Sequence, residues 1–364
     1  GCGNNRNGLD FMRLMIVWAL LIALTAITSS VKAADLSVED WGQSFKSALK
    51  NNKSAELENL LDMKALEKST LSCATCANSS KEKLEKARQL FAKNQIEESL
   101  ALYNQIPKGT DYWFEAVEEK GWAYYRSNDS EKALAQSKTL LSPQFSEVVP
   151  SEAYFLQSLS QLKICDYKGI FATHQMFKEK QKARIMEVQK LGDSGTSEAF
   201  DKIVISVNKF PLQAKDLGDS FLHLPTLYYK DLNLQGQLLR YKISEKALEV
   251  LKSQDNAMPK LQSSLEKMKQ ESVAKMKSRL AVLAQQETSE NKKIIQKLNL
   301  IEVEAIQRIH TDMSLNPDLY SKGKFKTAQD DQLVFLDDGR PWIDELDKYE
   351  VTAKACPQKI RRKM

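Results

Sequence analysis

Two stretches of the sequence repeat each other at a fixed offset, and this spacing constrains the fold more than any other feature of the chain. The first reads KARQLFAKNQIEESLAL from Lys86, and the second reads KGWAYYRSNDSEKALAQ from Lys120. Superposition aligns small residues with small ones and large residues with large ones, in the pairs Ala87 with Gly121, Leu90 with Tyr124, Phe91 with Tyr125 and Ser99 with Ala133. Small residues let two helices approach closely, and large ones fill the space between turns. The pattern predicts two successive helix–turn–helix units.

The offset from Lys86 to Lys120 is the length of the tetratricopeptide (TPR) repeat, about 34 residues, and this part of the chain resembles that family. Polar turns between the two helices of a unit are expected at Lys93–Gln95 and Ser127–Asp129. A third, degenerate unit follows over 151–177 at a slightly longer offset, with Ser158 at the small position and its turn at 166–167. The alternative is an unrelated helical bundle whose period arises by chance.

The resemblance implies a concave groove that binds a protein or peptide partner. In the family, the first helix of each unit lines this groove, and its contact positions lie beside the small residue. The corresponding residues are Arg88, Phe91, Trp122, Tyr125, Arg126, Leu159 and Lys163. Aromatic rings beside cations suit an extended acidic peptide or a C-terminal carboxylate. The alternative for Phe91 and Tyr125 is burial between successive units.

A long helix is predicted near the end of the chain. The apolar residues of 258–313 follow steps of three and four and are separated by Lys, Glu, Gln and Arg. This pattern predicts one long helix, or two helices broken near Thr288-Ser289, with a narrow apolar stripe. Such a stripe requires a partner, which is either a helix of the same chain or a second subunit in a coiled coil. We therefore expect a monomer or a coiled-coil dimer.

Helical periodicity also extends to both sides of the repeats. The ends of a repeat stack must be covered, and amphipathic helices over 35–68 are expected to cover its front. Residues 203–207 fit a short strand as an alternative to helix. The predicted fold is all-α, a TPR-like α-solenoid with long helices behind it, in the segments 34–80 (capping helices and Cys loop), 81–182 (repeats), 183–257 (further hairpins), 258–315 (long helix or helical hairpin) and 316–364 (tail with a possible short strand).

A secretory signal peptide is predicted over 12–33. Arg13 supplies its positive region, Leu14–Ile27 its apolar core and Ala33 its cleavage site. A transmembrane anchor is the alternative, but a helix as short as this core, at about 1.5 Å per residue, falls short of a bilayer core ~30 Å thick. We expect export to the periplasm or cell envelope, and we interpret residues 1–11 as translated upstream sequence.

The charge balance argues against a nucleic-acid partner. The formal net charge is +5, and removal of residues 1–33, which hold three cations and one acid, lowers it to +3. This excess is too small for a general nucleic-acid-binding surface. The basic stretches 322–326 and 359–364 are candidates for contact with a membrane or another anionic envelope surface, and a solvated terminus is the alternative.

Four cysteines follow the signal peptide: Cys73, Cys76, Cys165 and Cys356. An oxidising compartment favours disulfides, and of the three possible connectivities we expect Cys73–Cys76 and Cys165–Cys356. The first pair also has the spacing of thiol-redox enzymes, but those place it in a βαβ setting that this helical sequence lacks. A four-cysteine zinc site would need a second close pair.

The sequence predicts no enzyme, cofactor or metal site. His174, His223 and His310 are not at metal-ligand spacing, and the Asp pairs at 330–331 and 337–338 lack the EF-hand pattern. No G-x-S-x-G nucleophile elbow occurs.

The combination of repeats, a long charged helix and the tail pattern W-x-D-E-L…Y…C from Trp342 loosely resembles exported TPR proteins of gliding and predatory bacteria. That resemblance implies a scaffold or adaptor in the envelope, in a motility or secretion assembly. Two alternatives are a long-helix spacer that oligomerises without a groove, and a thiol-redox protein that uses the Cys73–Cys76 pair.

Overall fold

The computed structural model describes residues 35–71, 80–226, 228–254 and 258–311. These residues form an all-α fold of 12 α-helices, most of which pack against a neighbour in the sequence. In chain order the helices are α1 Val38–Lys50, α2 Ser54–Leu61, α3 Met63–Leu71, α4 Ser80–Ala92, α5 Ile96–Tyr103, α6 Trp113–Arg126, α7 Ser130–Leu140, α8 Ser151–Lys163, α9 Tyr167–Ser194, α10 Glu198–Ser206, α11 Leu232–Lys252 and α12 Pro259–Thr311.

Four of the turns between consecutive helices share one backbone conformation. The residues with positive φ in these turns are Asn52 (50°), Asn94 (63°), Asn128 (68°) and Cys165 (62°). In each turn the N–H of the following residue donates to the carbonyl oxygen five residues before it, as from Asp129 to Tyr124 at 2.9 Å. Asn enters the left-handed region more readily than most residues. The turns predicted around Asn94 and Asn128 are confirmed, and the third lies slightly earlier than predicted because α9 already begins at Tyr167.

The small residues aligned in the sequence lie where helices are in close contact. An ideal Cβ on Gly121 would lie 2.6 Å from Cδ2 of Leu156 in α8 and 3.8 Å from the carbonyl oxygen of Ala133 in α7. The position therefore has no room for a side chain, and the predicted close approach at Gly121 is confirmed. The other aligned small residues are completely buried: Ala87, Ser99, Ala133 and Ser158.

The helix α12 is continuous over 53 residues, without a break at Thr288-Ser289. Its first half packs on α11 and on the end of α9, and its second half packs on the rest of α9 and on α8. The buried residues of its stripe are Leu265, Met276, Leu280, Ala284, Ile294, Leu298, Ile301, Ala305 and Ile309. Helices of the same chain therefore cover the stripe, which is the first of the two alternatives given by the sequence. Among the described helices, none is both long and apolar enough to cross a membrane.

Two large hydrophobic cores share the two longest helices. One core is built from α1–α3, α10, α11 and the first half of α12, and the other from α4–α8 with the middle of α12; α9 contributes to both. The helices α1–α3 were predicted to cover the front of the repeats. Instead, Trp41 and Phe45 pack in the first core, and α1 and α3 contact α11. The predicted packing partner is wrong because an apolar face in the sequence indicates that the face is buried but does not identify the helix that buries it.

Residues 183–257 differ from the predicted hairpins. The helix α9 crosses the predicted boundary at 182 and ends at Gly195, which has a φ of 65°. Residues 203–206 belong to α10, so the strand alternative is wrong there. The two strands are very short, and β1 Leu36–Ser37 pairs antiparallel with β2 Lys209–Phe210. Three short 3₁₀ helices follow before α11, at Ala214–Asp216, Gly218–Leu222 and Tyr228–Lys230.

A buried ion pair holds α9 against α12. The Arg184 Nη1 atom lies 2.5 Å from Oε1 of Glu287, and the Arg184 side chain is 3% exposed. Its Nε donates to the Phe221 carbonyl oxygen at 3.0 Å, and its Nη2 donates to Leu224 and Thr226. Because each polar nitrogen of Arg184 has a partner, the pair fixes the orientation of both helices and of the segment around Leu224.

Candidate functional site

The first helices of three consecutive pairs, α4, α6 and α8, bring several of the predicted groove residues together. The guanidinium carbon of Arg126 lies 5.0 Å from the centre of the Phe91 ring, and Nη1 of Arg126 donates to the Phe91 carbonyl oxygen at 3.2 Å. The Lys163 Nζ atom lies 4.6 Å from the centre of the Tyr125 ring. Two cations of the predicted groove are thus held over aromatic rings, which attract them electrostatically.

The same surface continues through two residues that the sequence analysis did not identify. Trp122 lies 6.0 Å from Tyr125 and 5.7 Å from Phe155, measured between ring centres. Lys297 of α12 lies over the Phe155 ring at 4.8 Å. The three cations are exposed and the four rings are half-buried. We call this set the aromatic–cation row, and it consists of Phe91, Arg126, Tyr125, Lys163, Trp122, Phe155 and Lys297.

Two predicted groove residues have structural contacts instead. Arg88 donates to the carboxylates of Glu115 and Glu119 at 3.0 and 2.6 Å, which joins α4 to α6. Leu159 is half-buried against the small core formed by α9 and the end of α12. The structure therefore places Arg88 and Leu159 beside the row, where they hold helices together.

Carboxylates lie on the same helices, about one turn N-terminal to the rings of the row. Glu118 retains some contact with solvent but has protein on most sides. Burial, together with the negative charges of Glu152, Glu119 and Glu115, raises the pKa of Glu118 well above its usual value. Burial also raises the pKa of Glu152, against the opposing effect of Lys297. Carboxyl groups thus lie towards the N-terminal ends of α6 and α8, whereas Arg126 and Lys163 lie at the turns that follow these helices.

A recess adjoins the basic end of the row. It has a volume of about 510 Å³, and its lining includes Lys163 and Ile164 at the end of α8. The remaining lining residues belong to the turn before α7 and to its first residues: Asn128, Asp129, Ser130 and Glu131. A ligand bound along the row therefore has polar space beyond Lys163.

Of the four cysteines in the predicted disulfides, the structure describes one. Cys165 lies half-buried in the turn between α8 and α9, beside the end of α12. Cys73, Cys76 and Cys356 lie outside the described residues, so both disulfides and the thiol-redox alternative stay predictions. The signal peptide predicted at 12–33 and the basic stretches 322–326 and 359–364 also lie outside the described residues.

The histidines do not form a common site. His174 Nδ1 lies 3.1 Å from Glu302, and His223 Nδ1 lies 2.8 Å from Glu187. Over the described ranges, no group of three or more His, Cys, Asp or Glu side chains is arranged to hold a metal ion.

Phe155 and Lys297 were missed for different reasons. The offset from Gly121 to Ser158 assigned Leu159 as the counterpart of Trp122, whereas the ring that packs on Trp122 is Phe155, about one helical turn earlier. A search for aromatic residues within one turn of the aligned position would have found it. Lys297 is far from Lys163 in the chain and reaches the row only because α12 folds back on α8.

Comparisons of the chain with protein-family models, with curated proteins and with solved structures gave no match. The TPR resemblance therefore stays a prediction.

Proposed function

We propose that this protein is a non-catalytic scaffold whose aromatic–cation row binds an acidic segment of a protein partner. The observation that carries the proposal is that Arg126, Lys163 and Lys297 each lie over an aromatic ring, along one surface formed by four helices. A cation already ordered on a ring loses less entropy when it binds a carboxylate. The rings offer apolar contact between the charges, and acidic side chains or a C-terminal carboxylate supply the complementary charge.

The helix pairing supports the same proposal. Three successive pairs present their first helices to one surface, which is the arrangement that the TPR resemblance implies for a peptide groove. The signal peptide predicted at 12–33 extends the proposal to the cell envelope, where a motility or secretion assembly is the expected setting. The spacer alternative relied on an apolar stripe in need of a partner, and α12 buries that stripe within the chain.

The test uses defined peptides, because the partner is unidentified. Short fluorescein-labelled peptides of equal length would be titrated with the protein and followed by fluorescence anisotropy. One peptide is rich in Glu and Asp with a free C-terminal carboxylate, and the other has Lys at the same positions. We expect the acidic peptide to bind at least tenfold more tightly, with an affinity that falls as salt is added.

The variant Arg126→Ala with Lys163→Ala should lower the affinity for the acidic peptide by about tenfold, which corresponds to ~1.4 kcal/mol. The matched control is Lys202→Ala with Lys267→Ala, which removes two exposed cations from α10 and the first part of α12. Melting temperatures would show that each variant is folded. Equal binding of both peptides, or an equal loss in the control, would contradict the proposal.

A further inference from the structure

The chain contains a segment with the chemistry that the aromatic–cation row is proposed to bind. Residues 330–350 hold eight carboxylates and two cations, a net charge of −6, together with the apolar side chains of Leu333–Leu336 and Trp342. The carboxylates belong to Asp330, Asp331, Asp337, Asp338, Asp344, Glu345, Asp347 and Glu350. An acidic peptide with interspersed apolar and aromatic residues complements a surface of alternating cations and rings.

We propose that in the free protein the aromatic–cation row is occupied by the chain's own acidic segment 330–350. The proposal rests on the proposed function, because it takes the row to be a site for acidic peptides. It goes beyond that function by naming the first occupant.

The end of α12, from which the chain continues towards residues 330–350, lies next to the row. Nη1 of Arg308 donates to the carbonyl oxygen of Leu162 at 3.4 Å, one residue before Lys163. From Lys297 to the end of α12 at Thr311 the distance along the helix is about 21 Å. The Lys163 end of the row therefore lies beside the last turns of α12, whereas Lys297 lies farther back along that helix.

The connection is long enough to reach every part of the row. Residues 312–329 separate the end of α12 from Asp330, and a connection of this length spans up to ~60 Å when extended. A ligand that is tethered within the same chain as its site has an effective concentration on the order of 1 mM. Intramolecular binding therefore needs only modest affinity, and it excludes external peptides that bind weakly.

A regulatory consequence follows for the partner. An external acidic segment must compete with residues 330–350, so only a partner with higher affinity, or one that also binds the tail, gains access to the row. Neutralising the tail should then raise the affinity for the acidic probe peptide by at least threefold.

The direct test is zero-length carbodiimide cross-linking of the full-length protein, followed by mass spectrometry of the linked peptides. We expect links from Lys163 and Lys297 to carboxylates of 330–350. Carbodiimide joins a lysine to a carboxyl group, so a variant with every carboxylate of the segment changed to its amide could form no links at all. The informative variant therefore keeps some of the carboxylates. This variant carries Asp337→Asn, Asp338→Asn and Asp344→Asn, and its remaining links should fall several-fold. The exposed pair Lys180 and Glu147, whose charged atoms are 3.0 Å apart, is an internal control that should link equally in both proteins.

A mixture of unlabelled and ¹⁵N-labelled protein separates links within a chain from links between copies. Links found only between copies would overturn the intramolecular proposal, as would the absence of links from Lys163 and Lys297 while Lys180 and Glu147 are linked. If the two lysines of the row link to the acidic probe peptide but not to 330–350, the proposed function stands and this inference is wrong. If the Arg126 and Lys163 variant leaves probe binding unchanged, the proposed function itself fails.

Discussion

Asn128 shows how a single side chain sets the turn between two helices. Its φ of 68° lies in the left-handed region, which costs most residues with a Cβ about 1–2 kcal/mol and is easier for Asn and Gly. Asn94 holds the same conformation between α4 and α5. These residues direct the chain back along the helix that precedes them, and so they position the first helices of successive pairs.

We predict that Asn128→Ala lowers the free energy of unfolding by about 1 kcal/mol, because Ala lacks the local hydrogen bonds that help Asn adopt a left-handed conformation. Asn128→Gly should change it by less than about half that amount. Urea denaturation measures both. Asn104→Ala is the matched control, since Asn104 follows α5 with an ordinary φ of −66°. Equal losses at Asn104 and Asn128 would show that the backbone conformation is not the cause.

Glu118 links the candidate site to the pH dependence of stability. Burial is the main cause of its raised pKa, and neighbouring carboxylates add to the effect. Between the ordinary pKa and the raised pKa, the folded protein binds more protons than the unfolded chain. Stability therefore falls as pH rises through that window.

We predict that Glu118→Gln raises the melting temperature at pH 8, by about 2 °C, because the amide carries no charge to be repelled. The gain should shrink at pH 4, where the carboxyl group of the wild-type protein is mostly protonated in both states. Differential scanning calorimetry at the two pH values measures the change. Glu98→Gln on the exposed surface of α5 is the control, and a gain at Glu118 that is the same at both pH values would contradict the argument.

At the scale of elements, helix pairing depends on close contact at small residues. Gly121 lets α6 approach α7 and α8, and its neighbour Leu156 is completely buried. A Cβ placed there would force the Leu156 side chain out of its present position. Crowding of this kind in a packed core typically costs about 1–3 kcal/mol.

We predict that Gly121→Ala lowers the free energy of unfolding by about 1–2 kcal/mol, although Ala is the better helix former. Leu156→Val should relieve the contact because its side chain is smaller. The double variant should therefore lose less free energy of unfolding than the sum of the losses in the two single variants. The control is Gly236→Ala in α11, where an ideal Cβ would lie 3.5 Å from Glu67 at an ordinary contact distance. That change should stabilise the protein by up to about 1 kcal/mol. Chemical denaturation of the wild type, the two single variants, the double variant and the Gly236→Ala control gives the comparison, and simple additivity of the Gly121 and Leu156 losses would contradict it.

At the scale of the whole molecule, α12 and α9 connect the two large cores. The long helix contributes buried residues to both, and the ion pair between Arg184 and Glu287 fixes it against α9. Because α12 uses its apolar stripe within the chain, a second subunit is not needed to cover that stripe. The large apolar residues that remain exposed on α12 are Val282, Leu300, Val303 and Ile306, and Leu300 is the most exposed of them, at 69%.

We therefore predict a monomer in sedimentation equilibrium over a roughly hundredfold range of concentration, since an obligate dimer would dissociate or change its stability with dilution. Leu300→Asp should leave the mass and the melting temperature unchanged. A dimer that this substitution dissociates would instead support the coiled-coil alternative.

The residue types and their spacing were sufficient to predict the helical class, the turns at Asn94 and Asn128 and the close contact at Gly121. These features depend on residues near one another in the chain, where helical geometry fixes which side chains meet. The aromatic residues of the row on α4 and α6 were predicted from the TPR resemblance, which places the contact positions beside the small residue of each unit.

The sequence by itself did not determine which helices would share a core. An apolar stripe specifies that a face is buried, but many partners of similar hydrophobicity satisfy it, and only the packing of the complete chain selects among them. Tertiary structure therefore placed α1 and α3 on α11, turned α12 back along α8 and α9, and brought Lys297 over the ring of Phe155.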